Sequence, residues 1–128
     1  MMKVDRVLFC NVEHATDAYA DNPLPIECDQ TISAPHIHAM SLECLKDQVL
    51  TPHARVLDVG SGSGYVSACY AIMNPSASVF GIEMQEQLVK SSIEKVGKLP
   101  EGAPQNLVLQ QADGWDGLLK EGPFHATN

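Results

Sequence analysis

The chain has 128 residues, 45% of them hydrophobic and 19% charged, with a formal net charge of −8. That length leaves room for one domain with a modest core, and the composition excludes a disordered chain. The acidic balance argues against nucleic acid and against an anionic membrane surface as partners, since both recruit basic patches.

No apolar run reaches the roughly 18–20 residues that a membrane span needs. The start, Met1-Met2-Lys3-Val4-Asp5-Arg6, lacks an apolar stretch of signal-peptide length, so the expected compartment is the cytoplasm. Cys10, Cys28, Cys44 and Cys69 form no Cys-x-x-Cys pair and read as free thiols, some of them in the core.

Val4, Val7 and Leu8 suggest the end of a helix. Residues 11–35 carry Asn22-Pro23, Pro25 and Pro35 and read as loop. A helix is predicted from about Pro35 to Val49, with Ser33 as N-cap and Pro35 in the first turn. Its core face is read as Ile37, Met40, Cys44, Leu45 and Val49, and Thr51-Pro52 ends it. Arg55–Val59 is a short apolar run stopping at glycines, the pattern of a buried parallel strand. A helix over Tyr65–Met73 follows, then a strand over Ser78–Glu83. Gln85–Lys98 is the next helix, with Leu88, Val89, Ser92, Ile93 and Val96 facing inward. Asn106–Gln111 is a third strand, Trp115–Lys120 a short helix or turn, and Phe124-His125-Ala126 the start of another strand. Strands alternating with helices predict an α/β fold with a parallel sheet and right-handed crossovers.

The most informative local pattern is Asp58-Val59-Gly60-Ser61-Gly62-Ser63-Gly64, placed between a strand and a helix. Glycines there allow a tight turn and a close approach of backbone to ligand. Tyr65 stands where a dinucleotide fingerprint wants its third glycine, and the Gly-Lys-Ser/Thr of a phosphate loop is absent. Glu83 ends the next strand, where a carboxylate can accept both hydroxyls of a ribose. Asp58 can receive an ammonium group, and Asp113-Gly114 follow the third strand, where an adenine would lie. A nucleoside joined to an amino acid without phosphates fits this set better than NAD. The bland alternative is a generic glycine-rich turn flanked by solvated acids.

Upstream lie Tyr19-Ala20-Asp21-Asn22-Pro23-Leu24-Pro25-Ile26 and Gln30-Thr31-Ile32-Ser33-Ala34-Pro35-His36-Ile37-His38. With Leu57-to-Tyr65 and Gly81-Ile82-Glu83, these segments resemble the protein-L-isoaspartate (D-aspartate) O-methyltransferase family over nearly the whole chain. The resemblance implies a Rossmann-like fold and methyl transfer from S-adenosylmethionine to the abnormal carboxylate of isoaspartyl (and D-aspartyl) residues in damaged proteins, initiating their repair. It implies that Ser33 is the active-site serine, and that Gln30, Thr31, Ile32 and His38 lie near cofactor or substrate. It places Ser63, Glu83, Met84, Asp113 and Gly114 at the cofactor beside Asp58, Gly60 and Gly62, and Asp21 to Ile26 near the substrate peptide.

The acceptor carboxylate is already ionised at pH 7, so the chemistry needs positioning more than a base. Hydroxyls of Ser33 and Thr31 and free N–H groups at the helix start near Pro35 are suitable donors to it. A plain N-cap is the competing reading of Ser33. His36, His38, His53 and Cys28 show no zinc-type spacing, so no metal is expected. Two departures from the family stand out: Glu27-Cys28-Asp29 puts two extra acids near the carboxylate site, where they should repel substrate, and Met84 replaces a common His.

The family pattern extends beyond both ends of the chain, so a single, incomplete domain is expected. Residues 1–34 would form its substrate-side segment and residues 35–128 its cofactor-binding α/β part, with C-terminal strands missing. The strand at Arg55–Val59 should then be a bare sheet edge that invites self-association. The rival functions are a methyltransferase for another small acceptor and a non-catalytic remnant that binds cofactor or a partner.

Overall fold

A computed structural model describes residue 1 and residues 3–128. The sheet at its centre has four strands: β3 (Arg55–Val59), β4 (Ser78–Glu83), β5 (Leu107–Gln111) and β6 (Ala126–Thr127), all parallel, in the order β5-β4-β3-β6. A separate two-stranded antiparallel hairpin, β1 (Leu24–Pro25) and β2 (Thr31–Ile32), lies upstream. The helices are α1 (Pro35–Cys44), α2 (Lys46–Val49), α3 (Tyr65–Met73) and α4 (Glu86–Gly97).

The cores of β3, α3, β4, α4 and β5 stand where the apolar runs and glycine stops put them. β3 buries Val56, Leu57 and Asp58, as expected of an inner parallel strand. α3 is buried continuously from Tyr65 to Ala71 and contacts the sheet, α1 and α4. α4 is amphipathic, and burying Leu88, Val89 and Val96 holds it in place. Ile93, expected inward, is exposed, and Lys95 is buried in its stead.

The first 50 residues depart most from expectation. Arg6–Phe9, read as the end of a helix, is a 3-10 helix, and a second one at Val12–Asp17 makes the stretch read as loop partly ordered. The helix predicted to Val49 is distorted at Leu45, although Leu45 N–H to Ser41 O (3.2 Å) and Val49 N–H to Leu45 O (2.9 Å) carry the ladder across. Its inner face is His38, Leu42, Leu45 and Val49, not the stripe with Ile37, Met40 and Cys44, which is exposed. The reason is His38: a polar residue holds the most buried place on α1, which rotates the true apolar stripe away from its reading in the sequence. Phe9 meets Tyr65 edge-on at 5.3 Å and the His38 ring lies 4.8 Å from Tyr65, so Tyr65 joins the N-terminal segment and α1 to the start of α3.

β3 is not a bare edge. His125 N–H donates to Arg55 O (2.8 Å), Asn128 N–H to Leu57 O (2.9 Å) and Val59 N–H to Asn128 O (3.1 Å), so residues 125–128 line the whole strand. Residues 115–120 form turns rather than a helix.

Candidate functional site

The chain turns sharply after β3. Gly60 (φ 73°), Gly62 (φ 51°) and Gly64 (φ 82°) all lie in the left-handed region, which glycine enters without steric penalty. Gly64 is also the N-cap of α3, and a Cβ there would sit 3.1 Å from Ser92 Cβ and 3.2 Å from Leu109 Cδ1. The loop is thus pressed onto α4 and β5.

Four of its amides are engaged within the chain. Gly60 and Ser61 donate to Ile82 O at 2.9 and 3.0 Å, and Gly64 donates to Ser61 O at 2.8 Å. Gly62 donates to Glu83 Oε2 at 3.2 Å, while Glu83 Oε1 accepts from Gln85 N–H at 3.0 Å. A phosphate would find these four donors taken and a carboxylate against the loop. A neutral nucleoside is compatible, because Glu83 retains acceptor capacity for hydroxyls.

Two clefts flank the loop and share Thr31, Gly60 and Gly62. The larger, about 790 Å³, is lined by Gln30, Glu83, Met84, Asp113, Gly114 and Trp115 among others. The smaller, about 130 Å³, is lined by Ile32, Ser33, His38, Asp58 and Ser63, with Ser41 and Asn128. Together the two clefts gather every residue singled out in the sequence as catalytic or cofactor-binding. They also recruit residues that no motif marked, notably Trp115, Ser41 and Asn128. Trp115 directly follows Asp113-Gly114, the one signal that pointed to it. Asn128 reaches the site only through the pairing of β6 with β3, which no local pattern announces.

The floor of the smaller cleft is a polar network. The Asp58 carboxylate, 2% exposed, accepts from Ser67 Oγ and, at 2.7 Å, from Asn128 Nδ2. Burial pushes the Asp58 carboxyl up, and these two donors pull it part of the way back. Asn128 Oδ1 accepts in turn from Ser41 Oγ, which also bonds the Tyr70 hydroxyl at 2.7 Å. His38 is 6% exposed and its pKa is pushed down to about 4, by burial first and by Arg6 second. It is a neutral ring at pH 7, and its Nδ1 has no partner among the described residues.

Ser33 is not the N-cap of α1. Ala34 holds that position without a side-chain bond, and the Asp21 carboxylate caps the helix from the upstream loop, accepting from His36 N–H at 3.0 Å and from the His36 ring at 2.8 Å. The two bonds from His36 hold the Asp21 carboxyl below its usual range. The exposed Ser33 side chain is therefore left to the cleft, while its carbonyl accepts from Arg6 Nη2 at 3.1 Å. Arg6, itself buried, also donates to the carbonyls of Ala18 and Asn22, fastening three segments. The helix-start amides expected to be free are engaged, since Ile37 and His38 donate to Ala34 O. Glu27 is engaged as well: it pairs with Lys95, which offsets the charge of one of the two acids expected to repel substrate. Among the described residues no three His, Cys, Asp or Glu side chains converge as a metal site.

The sequence profile of the family described as Protein-L-isoaspartate(D-aspartate) O-methyltransferase (PCMT) matches residues 1–128. The protein-L-isoaspartate O-methyltransferase of Triticum aestivum is 42% identical over 132 residues, covering 100% of this chain and 56% of its own length. Protein-L-isoaspartate O-methyltransferase 1 of Arabidopsis thaliana is 40% identical over 135 residues, with the same two coverages of 100% and 56%. A Plasmodium falciparum crystal structure, assigned as a protein-L-isoaspartate O-methyltransferase and holding S-adenosyl-L-homocysteine, superposes with a TM-score of 0.84 at 34% identity. It covers 98% of this chain and 61% of that one. The chain spans about half the length of the curated relatives it matches.

Proposed function

The chain belongs to the protein-L-isoaspartate(D-aspartate) O-methyltransferase family, and on that premise we propose that its two clefts hold S-adenosylmethionine beside an isoaspartyl or D-aspartyl carboxylate for methyl transfer. The observation that carries this reading is the glycine loop with four amides engaged within the chain and Glu83 bonded to Gly62. That loop suits a nucleoside without phosphates.

The larger cleft takes the nucleoside, with Glu83 accepting from the ribose hydroxyls and Asp113 and Gly114 beside the base. The amino-acid end lies along the loop toward Asp58. Because Asp58 is buried and already bonded twice, it draws an ammonium group by charge through an intervening water rather than by direct contact. The cofactor supplies an electrophilic sulfonium methyl. Hydroxyls of Thr31 and Ser33 orient the acceptor carboxylate, which needs no base because it is ionised at neutral pH. A neutral His38 adds an unspent ring nitrogen to the same cleft.

The partners implied are damaged proteins and peptides, and the compartment implied is the cytoplasm; no described helix is long and apolar enough to cross a membrane. A second reading, cofactor binding without turnover, draws on the chain's span of about half its relatives. Calorimetry with S-adenosylhomocysteine, paired with methyl incorporation into an isoaspartyl peptide and its aspartyl twin, separates the two. Binding with isoaspartyl-selective turnover is expected. Binding without turnover favours the second reading, and no binding overturns both.

A further inference from the structure

The hairpin that supplies Gln30 and Thr31 to the larger cleft is short. Two residue pairs, Leu24 with Ile32 and Pro25 with Thr31, form its ladder, and Ile26 N–H to Gln30 O (2.9 Å) closes the turn. A two-stranded ladder of this length does not hold its shape alone in water. Its turn is also strained: Cys28 (φ 60°) and Asp29 (φ 55°) both occupy the left-handed region without being glycines. Something outside the hairpin has to fix it.

At its base Leu24, Ile26 and Ile32 are buried in the core and Arg6 holds the carbonyls of Asn22 and Ser33; the anchor of the turn is separate. Glu27 accepts from Lys95 Nζ through both oxygens, at 3.0 and 2.8 Å, and from Ser91 Oγ at 3.0 Å. Ser91 and Lys95 stand one turn apart on α4, so the carboxylate is held by one helical face. Both partners are shielded, the Lys95 side chain 10% exposed and that of Glu27 28%. Burial alone would raise the Glu27 carboxyl, but the bonds from Lys95, its own N–H and Ser91 outweigh it, and the net displacement is downward. The preceding residue, Ile26, brings its Cδ1 within 3.8 Å of where a Gly62 Cβ would be, so the hairpin rests on the glycine loop itself.

We propose that the Glu27–Lys95–Ser91 cluster is a latch that docks the β1–β2 hairpin on α4 and thereby sets the wall of the cofactor cleft, making Glu27 a positioning residue for the cofactor. This rests on the reading of the cleft given above. Neither Glu27 nor Lys95 lines a cleft, so their effect reaches the ligand through Gln30 and Thr31. With the latch open, the hairpin samples undocked positions and the apparent affinity falls by the fraction of time the wall is in place.

The test compares the full chain with Glu27→Gln, Lys95→Glu and the swap Glu27→Lys/Lys95→Glu. Two readouts are taken: S-adenosylhomocysteine affinity by calorimetry, and amide hydrogen exchange at Ile26 and Ile32. In Glu27→Gln the affinity is expected to fall about tenfold, with faster exchange at the hairpin amides and unchanged exchange in β3 and β4. The swap is expected to regain most of the affinity lost in Lys95→Glu. Wild-type affinity and exchange in Glu27→Gln would overturn the proposal, as would uniform loss of protection across the sheet, which marks a general stability effect. If the wild type itself does not bind, the reading of the cleft fails; the latch is then judged by exchange alone, upheld by hairpin-specific loosening and overturned by its absence.

Discussion

His38 shows how one side chain can carry a fold and a site at once. It fills the most buried place on α1, packs on Tyr65 and faces the smaller cleft. In the unfolded chain it protonates near 6.5, whereas in the fold burial and Arg6 delay protonation to about 4. Between those values the unfolded chain binds more protons, so stability falls as pH drops through that window and is flat with respect to this group above it. The full contribution is about 3 kcal/mol. Urea midpoints at pH 7.5 and pH 5 should therefore converge in His38→Gln relative to wild type; an equal pH dependence in both proteins would refute the assignment. Ser33 poses a different question, because its hydroxyl is free of the helix cap. Ser33→Ala should lower isoaspartyl methylation by about tenfold or more, the cost of losing a donor to an oriented anion. S-adenosylhomocysteine affinity should stay within about twofold if the hydroxyl serves the acceptor rather than the cofactor. A matched fall in both quantities would place Ser33 on the cofactor.

Among the elements, the glycine loop is the least tolerant of change. Gly64→Ala adds a Cβ at φ 82° against Ser92 and Leu109, and should destabilise the chain by about 1–3 kcal/mol. Chemical denaturation measures this directly, and a loss below about 0.5 kcal/mol would show that the loop relaxes. The same loop explains why β3, α3, β4 and α4 were legible in sequence. Runs such as Val56-Leu57 between glycines and prolines report burial on both faces, and that pattern survives any tertiary context. α1 was legible as a helix but not in its rotation, because a buried imidazole counts as polar in any stripe. The N-cap at Ser33 failed for a related reason: Asp21 reaches the helix start from 15 positions upstream, a distance no capping motif spans. Glu27 likewise looked like an acid set to repel substrate until α4 brought Lys95 to it across 68 residues. Local pattern recovered what local forces decide, and long-range pairing decided the rest.

At the scale of the molecule, α1 leaves apolar side chains uncovered. Ile37 is 46% and Met40 60% exposed on α1, and Ser41 on the same helix bonds Asn128 beside β6. Ile37 and Met40, in place of the bare β3 edge that the sequence suggested, are the candidate contact between copies. Concentration-dependent self-association is expected in sedimentation velocity, and Met40→Glu should suppress it; a monomer at all concentrations would count against this contact. The strand order β5-β4-β3-β6 has a kinetic consequence as well. β3, β4 and β5 meet through successive short crossovers, whereas Asp58 and Asn128 bond across 70 residues of chain. Contacts of such high contact order close late, after the loop entropy has been met by earlier packing. The acidic floor of the cleft is thus among the last parts to assemble. During refolding, helical signal should return before the capacity to bind ligand does, and that interval would time the docking of a single short strand.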